Sequence, residues 1–205
     1  MRRRPPPERD EASEEERIPL RERLLDVPWD VPREVWLGRL VLLALMAIWG
    51  LSVWFGKMTD TPRWLHLTVI LFHEAGHVIF MPFGDVVRVA GGTLGQLLIP
   101  LLCAVALCRR GDNFGGAIAL AWMGMSLMDA AVYAYDAASP VLPLIGGGTG
   151  EDSFHDFIFL FDHFGQLHRA RGWARLMHAL GAIGMLAALA WGAVLLYLQS
   201  ERLRR

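Results

Sequence analysis

The sequence predicts an all-α, polytopic integral membrane protein with about five transmembrane or re-entrant helices and one short interfacial helix. The 205-residue chain is 54% hydrophobic and has a mean hydropathy of +0.33. Its charged residues gather at the two termini and in short turns, leaving long apolar stretches between them. This distribution is typical of one membrane domain with a short tail.

Five apolar segments follow one another, and each approaches the roughly 20 residues that a helix needs to cross a bilayer. They run from about Trp36 to Phe55, Trp64 to Phe83, Gly91 to Cys108, Gly115 to Tyr135 and Ala179 to Leu198. Residues 137–152 are rich in glycine and proline and are expected to form a flexible connection. The following residues, Ser153 to Phe164, have the pattern of a short amphipathic helix.

The membrane domain is predicted over residues 35–200, with polar tails on both sides. Residues 1–34 combine arginine, proline and acidic clusters with few large apolar side chains, so we expect a disordered tail. Residues 201–205 form a basic C-terminal tail. If all five segments span, 12 lysines and arginines lie on the N-terminal side and 7 on the other, which favours a cytoplasmic N-terminus. The formal net charge of −1, without a basic face, gives no indication of a nucleic-acid partner.

The second apolar segment contains the sequence LFHEAGHVIF at residues 71–80, which includes a His-Glu-x-x-His motif. In a helix, His73 and His77 lie one turn apart on one face, spaced to hold a metal ion between two imidazoles, with Glu74 beside them. Ionisable side chains are costly in an apolar segment, and a metal ion would turn both imidazoles into ligands. The motif therefore predicts a Zn²⁺ site, close to membrane mid-depth unless the segment is tilted or re-entrant.

The third metal ligand must come from elsewhere, because catalytic zinc sites use three protein ligands. A thermolysin-like downstream glutamate is disfavoured, since no glutamate occurs between Glu74 and Glu151. The remaining candidates are Asp129, His155 and Asp156. His66 and the other histidines outside the motif are expected to be isolated interfacial or core residues.

The membrane-embedded motif, the Gly-Gly-Thr at residues 91–93 and a later aspartate after a Gly-rich loop resemble the site-2-protease-like intramembrane zinc metalloproteases. In that family two histidines and a distant aspartate bind zinc, and the glutamate is the base. The resemblance implies zinc bound by His73, His77 and Asp156, with Glu74 as the catalytic base. The runners-up for the third ligand are Asp129 and His155. This chain lacks the Asn-Pro and Asp-Gly pairs that accompany the aspartate in the family.

The expected reaction is hydrolysis of a peptide bond in a membrane protein or peptide, within or near the lipid bilayer. Thr93 and Gln96 are candidate substrate or oxyanion contacts if a Gly-rich turn lets a peptide approach closely. The same glycines could instead allow close helix packing. The alternative function is a non-proteolytic membrane protein that binds or transports a metal ion with the same side chains.

Overall fold

The computed structural model describes residues 19–28, 31–57, 63–144 and 147–204 and contains helices but no strands in those ranges. The helices are α1 Leu20–Leu25, α2 Arg33–Trp54, α3 Arg63–Phe80, α4 Asp85–Arg109, α5 Asn113–Asp136, α6 Asp156–His163 and α7 Ala170–Leu203. Single 3-10 turns precede α4 and α7, at Met81–Phe83 and Leu167–Arg169. The predicted all-α fold, with five long helices and one short one near residue 160, is confirmed.

Within the described ranges, four helical stretches are long and apolar enough to cross a membrane. These are α2, α4, α5 and the stretch Leu167–Leu203, which includes α7. The motif helix α3 is not among them, because its 18 residues include three histidines and Glu74, which lower its hydropathy. The predicted five apolar segments are thus all helical, but only four have the length and composition of a span.

Helix α5 is the centre of the bundle. In its most apolar stretch 67% of the residues are buried, against 11% for α2. It approaches α7 closely at Gly124, where an added Cβ would lie 2.6 Å from the backbone nitrogen of Met185 and 2.7 Å from the carbonyl oxygen of Gly181. The side chains of Met125 and Met128 on α5 pack with Met185 and are fully buried. Small residues therefore bring the two helix backbones together, as is common between membrane helices.

The two ends of the described chain meet at one end of the bundle, here called the terminal end. Trp36 Nε1, at the start of α2, donates to the carbonyl oxygen of Leu196, near the end of α7, at 3.0 Å. Arg39 forms a 3.3 Å ion pair with Asp112, in the turn between α4 and α5. An even number of helices running the length of the bundle explains this arrangement. Five such helices would have placed the two termini at opposite ends.

The opposite end, here called the far end, contains the start of α4 and the end of α5, because these two helices run antiparallel. Helix α3 belongs to this half of the bundle. Its last turn connects directly to the start of α4, and His66 in its first turn contacts Asp129, in the second half of α5. The motif helix thus begins and ends in the same half.

Part of the predicted disordered tail is ordered. Residues 19–28 include α1, and Asn113 Nδ2 donates to the carbonyl oxygens of Arg23 and Asp26 at 2.7 and 2.9 Å. Val27 is buried in a cluster with side chains of α5 and α7. The prediction of disorder does not hold for this stretch, because its carbonyls and Val27 find partners at the terminal end. Residues 1–18 lie outside the described ranges, and α7 continues to Leu203 into the predicted C-terminal tail.

The close packing of α5 on α7 yields a stability prediction. Replacing Gly124 by valine places the new side chain against backbone atoms of α7, so the helices must separate. Overpacking of this kind costs about 1–3 kcal/mol, and we expect a lower midpoint of thermal unfolding in detergent, followed by tryptophan fluorescence. The control is Gly184→Val on α7, where no atom lies within 4 Å of an added Cβ. Equal midpoints for the two variants would contradict the prediction.

Candidate metal centre

Helices α3 and α4 are in close contact through glycines. A Cβ at Gly91 would lie 2.8 Å from the carbonyl oxygen of Gly76, and one at Gly95 would lie 2.9 Å from the Cα atom of Gly76. All three glycines are inside helices, so the predicted Gly-rich turn near residue 91 is wrong. The alternative that these glycines allow close helix packing describes them correctly, and this packing brings the motif against α4.

The motif histidines converge on Asp156, the first residue of α6. Asp156 Oδ2 lies 2.9 Å from His73 Nε2 and 3.3 Å from His77 Nε2. One ligand atom from each residue lies within 4.8 Å of the others, so the group could hold a metal ion. Two imidazole nitrogens and one carboxylate oxygen are a donor set that suits Zn²⁺. The structure thus brings together the three residues predicted as ligands.

Gly92 makes room for this convergence. A Cβ at this position would lie 2.5 Å from His73 Nε2 and 2.6 Å from His77 Nε2, closer than real Cβ atoms approach other atoms. Any larger residue would push the two nitrogens away from each other. The surface of α4 beneath the imidazoles is therefore shaped to let both metal-facing nitrogens point at one position.

Gln96 determines which ring nitrogen of His73 carries the proton. The Gln96 amide nitrogen donates to the carbonyl oxygen of Ser126 at 3.0 Å, which turns the amide oxygen toward His73 Nδ1, 3.1 Å away. Nδ1 must therefore carry the proton, and in the neutral ring Nε2 keeps its lone pair. Gln96 and Ser126 lie near the midpoints of α4 and α5, so His73 is level with the middle of the bundle.

His77 is oriented by the backbone. Its Nδ1 lies 2.9 Å from the carbonyl oxygen of Arg88. A carbonyl oxygen can only accept, so Nδ1 donates, and Nε2 of the neutral ring also keeps its lone pair. Both motif histidines thus direct an unprotonated nitrogen toward Asp156.

Asp156 adds a third acceptor. Burial of its carboxyl group opposes ionisation, but when the His73 and His77 imidazoles carry a proton on Nε2, their hydrogen bonds to the carboxylate outweigh burial and lower the pKa of Asp156 to about 2. Three acceptors facing one another in a buried position repel each other unless positive charge lies between them. That charge is supplied either by protons on the imidazoles or by one cation bound by all three groups.

A second buried pair holds the start of α6 in place. His155 Nδ1 accepts from the backbone N–H of Ile158 at 3.3 Å, and its Nε2 lies 3.4 Å from Asp136 Oδ2, a charge contact without hydrogen-bond geometry. Asp136 Oδ1 in turn accepts from the N–H groups of Val141 and Leu142. His155 faces Asp136 and is not one of the three residues whose ligand atoms converge, so the structure does not bring this runner-up into the metal group. It instead fixes the helix that carries Asp156.

Asp129, the other runner-up, is also outside the metal group. Its Oδ2 lies 3.4 Å from Nδ1 of His66, which is therefore paired rather than isolated as the sequence suggested. Asp129 Oδ1 is buried and makes no hydrogen bond within the described residues. The pair lines the same cavity as the metal group.

A cavity of about 800 Å³ opens beside the metal group. The side chain of Glu74 is exposed and lines it, next to the ligands. Gln96 also lines the cavity, whereas Thr93 does not. Much of the remaining wall is apolar and includes residues 141–144 and Phe154. An exposed carboxylate and an apolar cavity wall thus meet at one place.

The sequence analysis missed Tyr133. Its hydroxyl accepts a hydrogen bond from the backbone N–H of Asp156 at 3.2 Å, and its side chain lines the cavity. The signal was present in the sequence, because Asp129, Tyr133 and Asp136 follow at intervals of four and three residues and so share one face of α5. That polar stripe on an otherwise apolar helix marks the side that faces the site.

The fold and the site define a helical membrane protein with a His-His-Asp group, buried except for the half-buried His77, that could hold a metal ion. None of the protein-family models, curated proteins or solved structures compared with this chain matches it. The argument for a function therefore rests on the chain itself.

The geometry predicts which side chains bind metal. We expect purified wild-type protein to hold one Zn²⁺ per chain after dialysis, and the His73→Ala and Asp156→Ala variants to hold little, because each loses one of three ligands. The measurement is elemental analysis of protein in detergent. His66→Ala is the matched control, since His66 lies on the same helix and in the same cavity but outside the group. Equal zinc in all four proteins would refute the assignment.

Proposed function

We propose that this protein is a membrane-embedded zinc metalloprotease, similar to the site-2-protease-like family, that hydrolyses a peptide bond within or near the bilayer. The observation that carries the proposal is the convergence of His73 Nε2, His77 Nε2 and Asp156 Oδ2 beside Glu74 in one cavity. Three acceptors favour a cation at their centre, and the neighbouring glutamate is the base that a metal hydrolase needs.

His73, His77 and Asp156 would hold a zinc ion, which would supply Lewis-acid chemistry for a water molecule and a peptide carbonyl. Glu74 takes the proton of the attacking water and later transfers it to the leaving amine. Gln96 and the Arg88 carbonyl hold the two imidazoles in the tautomer that binds metal. The Asp136–His155 pair holds the third ligand on α6. Each polar contact around the group thus has a part in the reaction.

The cavity suits a peptide substrate. Its volume of about 800 Å³ is within the range of ligand-binding pockets, roughly 300–1,000 Å³. Its apolar wall offers contacts to hydrophobic side chains, and its polar groups gather near the metal position. We therefore propose a membrane protein or hydrophobic peptide as the substrate.

The alternative is a protein that binds or transports a metal ion without proteolysis. One observation favours it, namely the His66–Asp129 pair, which offers further ligand atoms in the same cavity. A transport path would also have to continue toward the terminal end. Between the cavity and the terminal end, the fully buried side chains of Met125, Met128 and Met185 fill the centre of the bundle. We therefore favour the protease.

The central test is Glu74→Gln. We expect the variant to keep its zinc but to lose cleavage, by roughly 100-fold or more, because the amide cannot accept the water proton. Zinc-loaded wild type and variant are incubated in bicelles with a pool of membrane-protein peptides, and new termini are counted by mass spectrometry. Wild-type protein stripped of zinc is the control. Equal cleavage by the variant, or no cleavage by zinc-loaded wild type, would refute the proposal that the protein is a protease. Zinc uptake into liposomes that contain the variant would support the transport alternative.

We also infer that the N-terminus is cytoplasmic. With four crossings and the termini at one end, chain order places 13 lysines and arginines at the terminal end and 6 at the far end, omitting Arg39. This asymmetry is larger than the 12 to 7 of a five-span arrangement, and the side rich in basic residues faces the cytoplasm. The cavity is lined by residues 141–144, just after the far end of α5, so it opens on the extracytoplasmic side.

The orientation is testable by cysteine labelling in intact cells. In a background without Cys103 and Cys108, we expect a membrane-impermeant maleimide to label Ser139→Cys, an exposed position after α5. In the inferred orientation this loop faces the outside of the cell. Glu22→Cys, an exposed position on α1, should react only after the cells are permeabilised. The reverse pattern would place the cavity on the cytoplasmic side.

A further inference from the structure

We propose that Tyr133 is a catalytic residue whose hydroxyl donates a hydrogen bond to the oxyanion formed on the attacked peptide carbonyl. The proposal rests on the protease function and adds a group that the His-Glu-x-x-His motif does not contain. It assigns to α5, at the centre of the bundle, a direct contact with the reacting atoms.

The Tyr133 ring is held from several sides. Its centroid lies 4.1 Å from the His155 ring, which stacks on it with a tilt of 31°, and 5.6 Å from the Phe157 ring, which meets it edge to face. The His73 ring meets it edge to face at 6.2 Å. A ring fixed in this way keeps its hydroxyl at one position, as a preorganised donor requires.

The hydroxyl proton of Tyr133 is available. The oxygen accepts the N–H of Asp156, which occupies one lone pair and leaves the O–H free to donate. No acceptor for that proton lies within hydrogen-bond distance among the residues that the structure describes. The side chain lines the cavity, so an acceptor on a bound substrate can meet it.

The hydroxyl also lies beside the metal group, in the wall of the same cavity. An oxyanion donor has to lie beside the position that the carbonyl oxygen takes. The Tyr133 oxygen is one hydrogen bond from the backbone nitrogen of Asp156, and the carboxylate of that same residue belongs to the metal group. The separation is therefore one hydrogen bond and one short side chain.

Other polar groups are less suited to this role. The Gln96 amide nitrogen already donates to Ser126, and its oxygen faces His73. Thr93 does not line the cavity. His66 precedes His73 by seven residues, about 10 Å along the helix. Tyr133 is thus a neutral donor beside the metal group with a proton to give.

The proposed step balances without a change in Tyr133. As the water oxygen bonds to the carbonyl carbon, Glu74 takes the water proton and the carbonyl electron pair moves to oxygen, where Tyr133 donates its hydrogen bond. When this electron pair re-forms the carbonyl double bond, the carbon–nitrogen bond breaks and the proton on Glu74 passes to the leaving amine. Tyr133 keeps its own proton throughout and contributes electrostatic stabilisation.

The test compares Tyr133→Phe with wild type in the binding of two inhibitors to zinc-loaded protein. One is a peptide phosphonate with leucine on both sides of phosphorus, which mimics the tetrahedral oxyanion. The other is the matched peptide thiol, which reaches the metal through sulfur and presents no such oxygen. We expect Tyr133→Phe to weaken phosphonate binding by roughly 10- to 100-fold, as for a lost hydrogen bond to a charged group, with thiol affinity and zinc content unchanged.

Tyr135→Phe is the matched control. It removes a hydroxyl two residues away, from a ring that packs beneath Arg171 and does not line the cavity, so both affinities should stay at the wild-type values. If Tyr133→Phe weakens both inhibitors equally or loses zinc, Tyr133 only positions Asp156 and the proposal is overturned. Unchanged phosphonate binding in Tyr133→Phe would overturn the proposal for Tyr133 and leave the proposed protease function standing. If zinc-loaded wild type binds neither inhibitor, the protease function fails and this proposal fails with it.

Discussion

The structure depends on the meeting of the two motif imidazoles with the Asp156 carboxylate. His73 and Asp156 are 83 residues apart in sequence, yet their ligand atoms are 2.9 Å apart in a buried position. Helix α6 has only eight residues and could not form a stable helix by itself. It is held at the bundle by this contact and by the Asp136–His155 pair. The site and the local fold therefore stabilise each other.

Glycines also determine how closely the helices around the site approach one another. Gly76, Gly91 and Gly95 let α3 approach α4 until the backbones touch, and Gly92 leaves the gap in which the imidazoles converge. Close backbone contact replaces the hydrophobic drive that is weak between helices in lipid. Polar contacts such as that of Gln96 with Ser126 then fix the register. Packing and metal chemistry thus use one set of small residues.

Local patterns explain what the sequence predicted. The spacing of His73 and His77 is decided within one helical turn, so it could be inferred directly, as could the five apolar helices. The choice among Asp129, His155 and Asp156 depends on how α5, the loop and α6 pack, and no local pattern contains that information. The glycines near residue 91 were misjudged because glycine favours both turns and close helix contacts. Tyr133 shares a face of α5 with Asp129 and Asp136, but a helical face alone does not show which helix it packs against.

Helix α3 has a consequence for the bilayer itself. It begins and ends in one half of the bundle and carries Glu74 and three histidines. Lipid meets a short, polar segment by thinning and admitting water at that side. If α3 meets lipid in the membrane, the hydrocarbon barrier beside the motif would be lower than around the four long helices. A depression in the membrane surface would give water a short route to a group that is level with the bundle's middle.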